Sequence, residues 1–551
     1  MGFYFDTWIL KEEREKSSLK ELILKSQGIK KETDIKKVLE KKFPEDMHDP
    51  KLLKDYQKSI DRIVKAIDQK ERIIIFGDYD VDGTVGTTIL YSLLEKVGAL
   101  ASYRIPHRKK HGYGLKKSFI DELSEKNIGL IITVDNGISA IDEVAYAKEK
   151  NIDIIITDHH LPGEKTPDAY AIVNHKQKDC HYPFPELCGA ALAYKVALGI
   201  AKHYLTISEY EGFAYKMLDL AALATVADCM PIKGENHLIV KEGLKVLKTT
   251  KHEGIKKLAS IANINLENAT AETFGFQIGP RINAAGRLSE AYIGVQFLLG
   301  KAEFAEELER LNNERKEMVE QALQAAEKYA IPEEVIIASS KNWHTGIIGL
   351  IAGKLTEKYY LPAIILEEQE GKMIASCRAP EGFDMHKFLS EFSQYFEHFG
   401  GHAQAAGFSI LKEKYLDFQT HAKERGKEIL QQLNLKKVLT INAEIFITEL
   451  DMQTFDFIDQ FAPFGIGNEK PLFLLKNISS IQWSFLGKDN KHIQGRIMTP
   501  SGEKRIIKFF SEELIDSLEA HLSYDIVFRL SKNSWRGNST VQLDLIDLRK
   551  S

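Results

Sequence analysis

The sequence predicts an α/β protein whose first large domain is a doubly wound parallel sheet, and three observations support this. From residue 72 onward, short apolar runs alternate with helical segments; the runs are three to seven residues long; and acids or histidines follow where several of them end. Alternation of this kind is the signature of βαβ units, which force neighbouring strands to run parallel. The runs Ile73–Phe76, Ile128–Val134, Ile152–Thr157 and Ala171–Val173 read as strands, with helices near 84–97, 116–126 and 139–150 between them.

The other elements follow in chain order. At ~150 residues per domain, the 551 residues call for three or four domains. Residues 1–70 are rich in Lys and Glu with apolar positions at helical spacing (Leu19, Leu22, Ile23, Val38, Leu39), which predicts a helical lead-in. The first α/β domain is expected over 71–300 and a long connecting helix over 301–332, where the charged stretch Ala302–Ala330 is long enough for ~40 Å. A second α/β segment is expected over 333–435, starting at Glu334-Val335-Ile336-Ile337. Over 436–551 the strands Ile481–Phe485, His492–Met498, Arg505–Phe510, Ile526–Leu530 and Val541–Ile546 suit a small barrel of the OB type.

Composition excludes several classes. Hydrophobic residues at 44% and charged residues at 28% are ordinary for a folded chain and rule out low complexity. Aliphatic runs such as Ile73-Ile74-Ile75-Phe76 fall far short of the ~20 residues a membrane span needs. Residues 1–20 mix acids and bases without an apolar core, so no secretory signal and a cytoplasmic location are expected. Cys180, Cys188, Cys229 and Cys377 form no C-x-x-C pair, which predicts structural thiols rather than a zinc ribbon. The net charge, 74 − 79 = −5, argues against bulk coating of a polyanion. Two local patches are basic nonetheless. Arg104, Arg108, Lys109, Lys110, Lys116 and Lys117 stand together without an acid, and Lys488, Lys491, Arg496, Lys504, Arg505 and Lys508 form the second.

The chemistry is expected at the strand ends. The first strand runs into Gly77-Asp78-Tyr79-Asp80-Val81-Asp82-Gly83-Thr84, with three carboxylates at alternate positions. A calcium EF-hand would need a bidentate Glu at loop position twelve and a helix in front; here Ile89 fills that position and a strand precedes. Crowded carboxylates with no base beside them repel unless a cation neutralises them. The next strands end in Asp135-Asn136-Gly137 and Asp158-His159-His160, and a further acid, Asp228, follows the apolar segment Leu218–Val226. In open parallel sheets ligands collect at the carboxyl edge, so these groups should share one crevice. Many oxygens with one or two imidazoles suit Mn²⁺ or Mg²⁺ better than zinc. Two such ions ~3.5–4 Å apart activate water for phosphoester cleavage, which is the reaction class expected. Farther on, Gly400-Gly401-His402 and Gly407 free the backbone for close approach to a phosphate, and Arg378 offers bidentate recognition. Trp343 and His344 read equally well as core packing.

These motifs resemble a known family. Asp78–Thr84, Val134–Ile138, Asp158–His160 and Ala227–Pro231 look like the successive motifs of the DHH phosphoesterase superfamily. Within it, Ile282–Arg287, Trp343–Gly349, Ser376–Arg378, Gly400–Gly407 and Pro463–Asn468 are similar to the RecJ family of single-strand-specific 5′→3′ DNA exonucleases. The resemblance covers about residue 70 to the C-terminus. It implies one metal on Asp80 and Asp135 and a second on Asp82, Asp135, His159 and Asp228, with Asp135 bridging. It further implies that His160 meets the scissile phosphate and that Asp78 and Asp158 are supporting acids. Some members carry a metal-binding His where this chain has Phe76, which implies a more weakly held first metal. By the same resemblance 333–435 is the DHH-associated domain, and Arg108, Arg281, Ser376 and Arg378, with the Gly400-Gly401-His402 turn, hold the 5′-phosphate. Lys491, Arg496, Lys504 and Arg505 of the OB-type barrel would track the strand, with His492, Phe509 and Phe510 nearby.

The implied partner is single-stranded DNA, acted on by a monomer alongside a single-strand-binding protein and a helicase. Two other functions fit part of this pattern. A hydrolase of short oligonucleotides or cyclic dinucleotides has no need of the third domain, and a non-catalytic DNA-binding scaffold would have lost the acids that this chain keeps.

Overall fold

The computed structural model describes all residues except 1, 13, 15–16, 30–34, 36–38, 113, 480, 488–490, 512–513, 515–517, 520–521 and 536–537, and only the backbone of 534–535. Val38 and Lys488, cited above, lie outside the described residues. The chain divides into two compact units, residues 42–433 and residues 1–41 with 434–551.

The larger unit opens on the expected sheet. Its strands are β1 (Arg72–Gly77), β2 (Ala101–Arg104), β3 (Ile128–Val134), β4 (Asp153–Thr157) and β5 (Ala171–Val173), all parallel, in the order β2-β1-β3-β4-β5. Period-two alternation gives each face its own core. Ile73, Ile75, Leu130, Ile132 and Ile155 face one, together with α1 (Val81–Lys96) and α2 (Gly189–Tyr204), while Ile74, Phe76, Ile131, Ile154 and Ile156 face the other. Because β1 is followed outward by β2 and then inward by β3, the strand order reverses between β1 and β3. Such a switch point leaves a crevice at the carboxyl ends. β2, with Ser102 and Arg104 half-exposed or exposed at the sheet edge, carries no apolar run.

Further helices include α3 (Leu218–Ala227), α4 (Gly279–Leu288) and the long α5 (Phe304–Glu327), shorter than the 302–330 expected because Gly300 and Ile331-Pro332 bound it. The second sheet contains β6 (Ile336–Ser340), β7 (Ala363–Glu368), β8 (Lys372–Arg378), β9 (Phe396–Gly401) and β10 (Ala405–Leu411) in the order β9-β10-β8-β7-β6. Helix α6 (Thr345–Tyr359) packs its Ile347, Ile348, Ile351 and Leu355 into the core of this sheet.

Lys195 and Glu235 form a buried ion pair in the larger unit. Lys195 Nζ lies 3.0 Å from Glu235 Oε1, which also accepts from the His48 amide at 2.6 Å, while Tyr182 donates to the other Glu235 oxygen. Burial pushes the Lys195 ammonium down from its usual range. Removing one partner of such a pair costs about 3–5 kcal/mol, because the other charge stays buried. Lys195→Met is therefore expected to lower the urea midpoint of this unit markedly, and an unchanged midpoint would show that Glu235 is satisfied by its neutral donors alone.

The smaller unit corrects the expectation for residues 1–70, which do not form one helical lead-in. A strand over Thr7–Leu10 pairs in parallel with Val438–Ile441, and the helix Leu19–Ser26, capped by Ser18, buries Leu19, Leu22 and Ile23 among Ala443, Phe473 and Tyr524. Only residues 42–70 stay with the larger unit, where the helix Tyr56–Asp68 contributes Tyr56, Ile60 and Ile63 to the core. The main sheet of the smaller unit contains β11 (Ala443–Glu444), β12 (Phe473–Ile478), β13 (Gln482–Leu486), β14 (His492–Thr499), β15 (Gly502–Lys508), β16 (Tyr524–Trp535) and β17 (Asn538–Lys550), in the order β11-β12-β16-β17-β15-β14-β13.

Candidate metal centre and phosphate pocket

The first motif is built by a tight strand-to-helix turn. Asp80 caps α1, its Oδ1 accepting from the Gly83 amide at 3.0 Å. Gly83 is required there: a Cβ would lie 2.5 Å from the Asp78 backbone nitrogen and oxygen. Asp82 is fully buried and turns to the neighbouring helix, where Oδ2 accepts from Gly189 N at 2.6 Å and Oδ1 from Ala190 N at 2.8 Å. Its charge thus meets the positive end of α2. Asp135 follows β3 at φ 62°, a left-handed conformation that Asp tolerates better than most residues.

The third motif divides its labour. His159 is buried, with Nε2 3.1 Å from Asp135 Oδ1, 3.5 Å from Asp228 Oδ2 and 3.8 Å from Asp82 Oδ2. Burial pushes its imidazole down to about 4, so the ring is neutral and able to act as a ligand. His160 stands half-exposed beside it, with Nδ1 2.8 Å from Asp158 Oδ1. Burial acts to lower its pKa, but the Asp158 bond and charge outweigh this and raise it. Burial alone would push the Asp158 carboxyl up; His160 and the Ile138 amide hold it below the usual carboxylate range.

Among the described residues, three groups have donor atoms within 4.8 Å of one another: Asp78 with Asp80 and Asp135, Asp82 with His159 and Asp228, and Asp135 with His159 and His160. Burial first and then mutual repulsion push Asp78 up to about 8 and Asp228 up to about 9, and raise Asp82 and Asp135 as well. Asp78 Oδ1, Asp228 Oδ2 and His159 Nδ1 are buried without a hydrogen-bond partner. Orphaned buried oxygens that repel one another, with a neutral imidazole between them, fit hard divalent cations. Asp135 belongs to two of the three groups.

Beside this cluster lies a basic cavity of about 210 Å³, lined by Arg108, Arg287, His344 and Thr345 among others. The Arg108 guanidinium lies over the Tyr79 ring at 4.7 Å, and Arg287 donates to Gly346 O at 3.0 Å. Burial, then the charges of Arg108 and Arg315, push Arg287 down to about 10, and burial and Arg108 act likewise on Arg378. Gly349 lets α6 run close to β8, since a Cβ on it would lie 3.0 Å from Ser376 Oγ and 3.5 Å from an Arg378 nitrogen.

Arg281 is a correction. It is buried against Glu309 of α5 and donates to Gln277 O at 2.6 Å, so its charge is already met, whereas Arg287 of the same helix lines the basic cavity. The structure also keeps Gly400, Gly401 and His402 away from the arginines. Gly400 and Gly401 end β9 and His402 opens the exposed turn to β10, two strands from Cys377, roughly 9–10 Å at sheet spacing. In the smaller unit Arg496 and Arg505 are paired neighbours on β14 and β15 and exposed, and Lys491 is exposed too. Lys504 is a second correction: it points inward and donates to Ser501 O at 3.0 Å. Phe509 and Phe510 are 60% and 78% exposed and meet the His492 ring edge-on, so they are not core aromatics.

Comparison with known proteins places this geometry. The profile described as "DHH family, N-terminal domain" matches residues 72–225, "DHHA1 domain" matches 333–431 and "RecJ OB domain" matches 441–547. The single-stranded-DNA-specific exonuclease RecJ of Haemophilus influenzae is 31% identical over 528 residues, covering 91% of each chain. The chain belongs to the RecJ family. Its Bacillus subtilis RecJ relative is 34% identical across 91% of this chain, which spans 64% of that longer protein. The crystal structure of RecJ in complex with Mn²⁺ from Thermus thermophilus superposes with a TM-score of 0.81 at 26% identity, over 99% of this chain and 80% of that one. No described helix is long and apolar enough to cross a membrane.

Proposed function

We propose that this RecJ-family chain is a metal-dependent, single-strand-specific 5′→3′ DNA exonuclease that releases 5′-mononucleotides in repair and recombination. The observation that carries this reading is the stack of buried, mutually repelling carboxylates at the sheet's switch point. Asp80 and Asp135 would hold one ion, and Asp82, Asp135, His159 and Asp228 the other, with Asp78 supporting the first. Two Mn²⁺ or Mg²⁺ ions, when bound, activate a water and stabilise the leaving oxygen. Asp158 fixes the orientation of His160, whose raised pKa favours a cation beside the scissile phosphate. Arg108, Arg287, Ser376 and Arg378 hold the 5′-terminal phosphate, with the Gly400-Gly401-His402 turn as an outer contact for the strand. Incubating the protein with 5′-labelled single strand, duplex and a dinucleotide, with and without Mn²⁺, tests this directly; cleavage of the dinucleotide alone would favour a small-substrate hydrolase.

The modules serving this activity divide at 71–300, 301–332, 333–435 and 436–551, with residues 1–41 joined to the last. A cytoplasmic monomer working with a single-strand-binding protein and a helicase completes the reading. Within the OB module, Lys491, Arg496 and Arg505 contact phosphates while Phe509 and Phe510 stack on bases. Each phosphate contact adds ~0.7 to the salt slope of single-strand binding. Replacing all three bases with alanine should flatten that slope by roughly two, whereas Lys504→Ala should leave it unchanged. Equal effects of the two changes would remove the module from the DNA path.

A further inference from the structure

The short helical turn Arg108–His111 and its cap His107 separate two cavities. Opposite the arginine cavity lies a larger one, of about 360 Å³, whose walls include Tyr103, His107, Lys110, His111, Glu290 and Tyr292. His107 and Lys110 line both cavities, so the two adjoin. The volume falls in the ~300–1,000 Å³ range of small-ligand sites.

Its chemistry differs from that of the arginine cavity. Tyr103 is fixed by an edge-on contact with Tyr91 at 5.1 Å and by a hydrogen bond with Gln296, and His111 packs edge-on against Phe119 at 5.0 Å. Tyr292, 42% exposed, leans on Phe304. Arg104 offers no spare charge, because Glu122 pairs with it and it lies over Phe119 at 4.2 Å. Among the described residues Lys110 and Glu290 are exposed and in no ion pair. A phosphate would be repelled by Glu290 and would gain nothing from aromatic walls. A neutral heterocycle with a donor edge and an acceptor edge suits π-faces flanked by one cation and one carboxylate.

We propose that this cavity receives the base of the 5′-terminal nucleotide whose phosphate occupies the arginine cavity, with Tyr292 as the stacking wall and Glu290 as acceptor for an exocyclic amine. The inference rests on reading the arginine cavity as the terminal-phosphate subsite. It predicts a further selectivity: terminal adenine, guanine and cytosine offer Glu290 an amine, and thymine does not.

The test uses the full chain with Mn²⁺ and 5′-phosphorylated single strands that carry either a normal nucleotide or an abasic tetrahydrofuran residue at the 5′ end. Removing the base should raise KM about tenfold in the unsubstituted protein, the scale of one lost base stack. In Tyr292→Leu, which keeps apolar packing, that penalty should shrink toward unity, and Glu290→Gln should narrow the gap between thymine ends and the other three. A base penalty that persists in Tyr292→Leu, or no penalty in the unsubstituted protein, overturns the base subsite. The underlying reading fails separately, through a preference for 5′-phosphate over 5′-hydroxyl that Arg378→Ala does not change.

Discussion

Asp135→Asn is expected to abolish cleavage of single-stranded DNA, by more than about a hundredfold, while leaving much of the DNA binding. The loss should exceed the roughly 10–100-fold typical of changing a residue that only orients a metal ligand, because Asp135 lies in two of the three donor groups and the neutral amide of asparagine would serve neither ion well. Asparagine is the informative replacement. It keeps the shape of the side chain and takes the φ of 62° that alanine would resist, so the backbone between β3 and the arginine cavity should hold. The fold should survive or gain slightly, since one of several repelling buried carboxylates has been neutralised. Circular dichroism and urea unfolding separate this outcome from misfolding. Near-normal turnover at saturating Mn²⁺ would mean that Asp135 bridges nothing.

Arg378→Ala is expected to cut the preference for 5′-phosphorylated over 5′-hydroxyl ends by about tenfold or more. Metal ions cleave whatever phosphodiester lies in line, so polarity has to come from a group that senses the end. A terminal phosphate carries more charge than an internal one, and hydrogen bonds to charged groups contribute about 1.5–3 kcal/mol, roughly a decade or more. Arg378 sits within the field of Arg108, and burial and that charge act to lower its pKa, which an anion placed beside them would offset. Kinetics on matched 5′-phosphate and 5′-hydroxyl strands measure the effect. Equal losses on both would assign Arg378 to the scissile phosphate or to the fold.

Much of the catalytic fold was legible because its information is local. β1, β3, β4 and β5 are buried on both faces and therefore read as continuous apolar runs, and acids follow β1, β3 and β4 at the carboxyl ends, where a parallel sheet gathers ligands. What was missed depends on distant or facial information. β2 lies at the sheet edge with half-exposed Tyr103 and Arg104, so it carries no apolar signature. Nothing near Thr7–Leu10 announces that Val438–Ile441 will pair with it. Arg281 and Arg287 stand six positions apart on α4 (287 − 281), about 120° around the helix, and the sequence does not say which face meets the basic cavity. Lys504 was readable in principle. It shares strand parity with buried Ile506, whereas Arg505 takes the opposite face.

The acids and His159 at the switch point are expected to hold two divalent cations bridged by Asp135. An anomalous-difference map from crystals grown with Mn²⁺ tests it most directly. The expected result is two peaks ~3.5–4 Å apart, one beside Asp78 and Asp80, the other beside Asp82, His159 and Asp228, with Asp135 contacting both. A single peak, or ions bound away from Asp135, would contradict it.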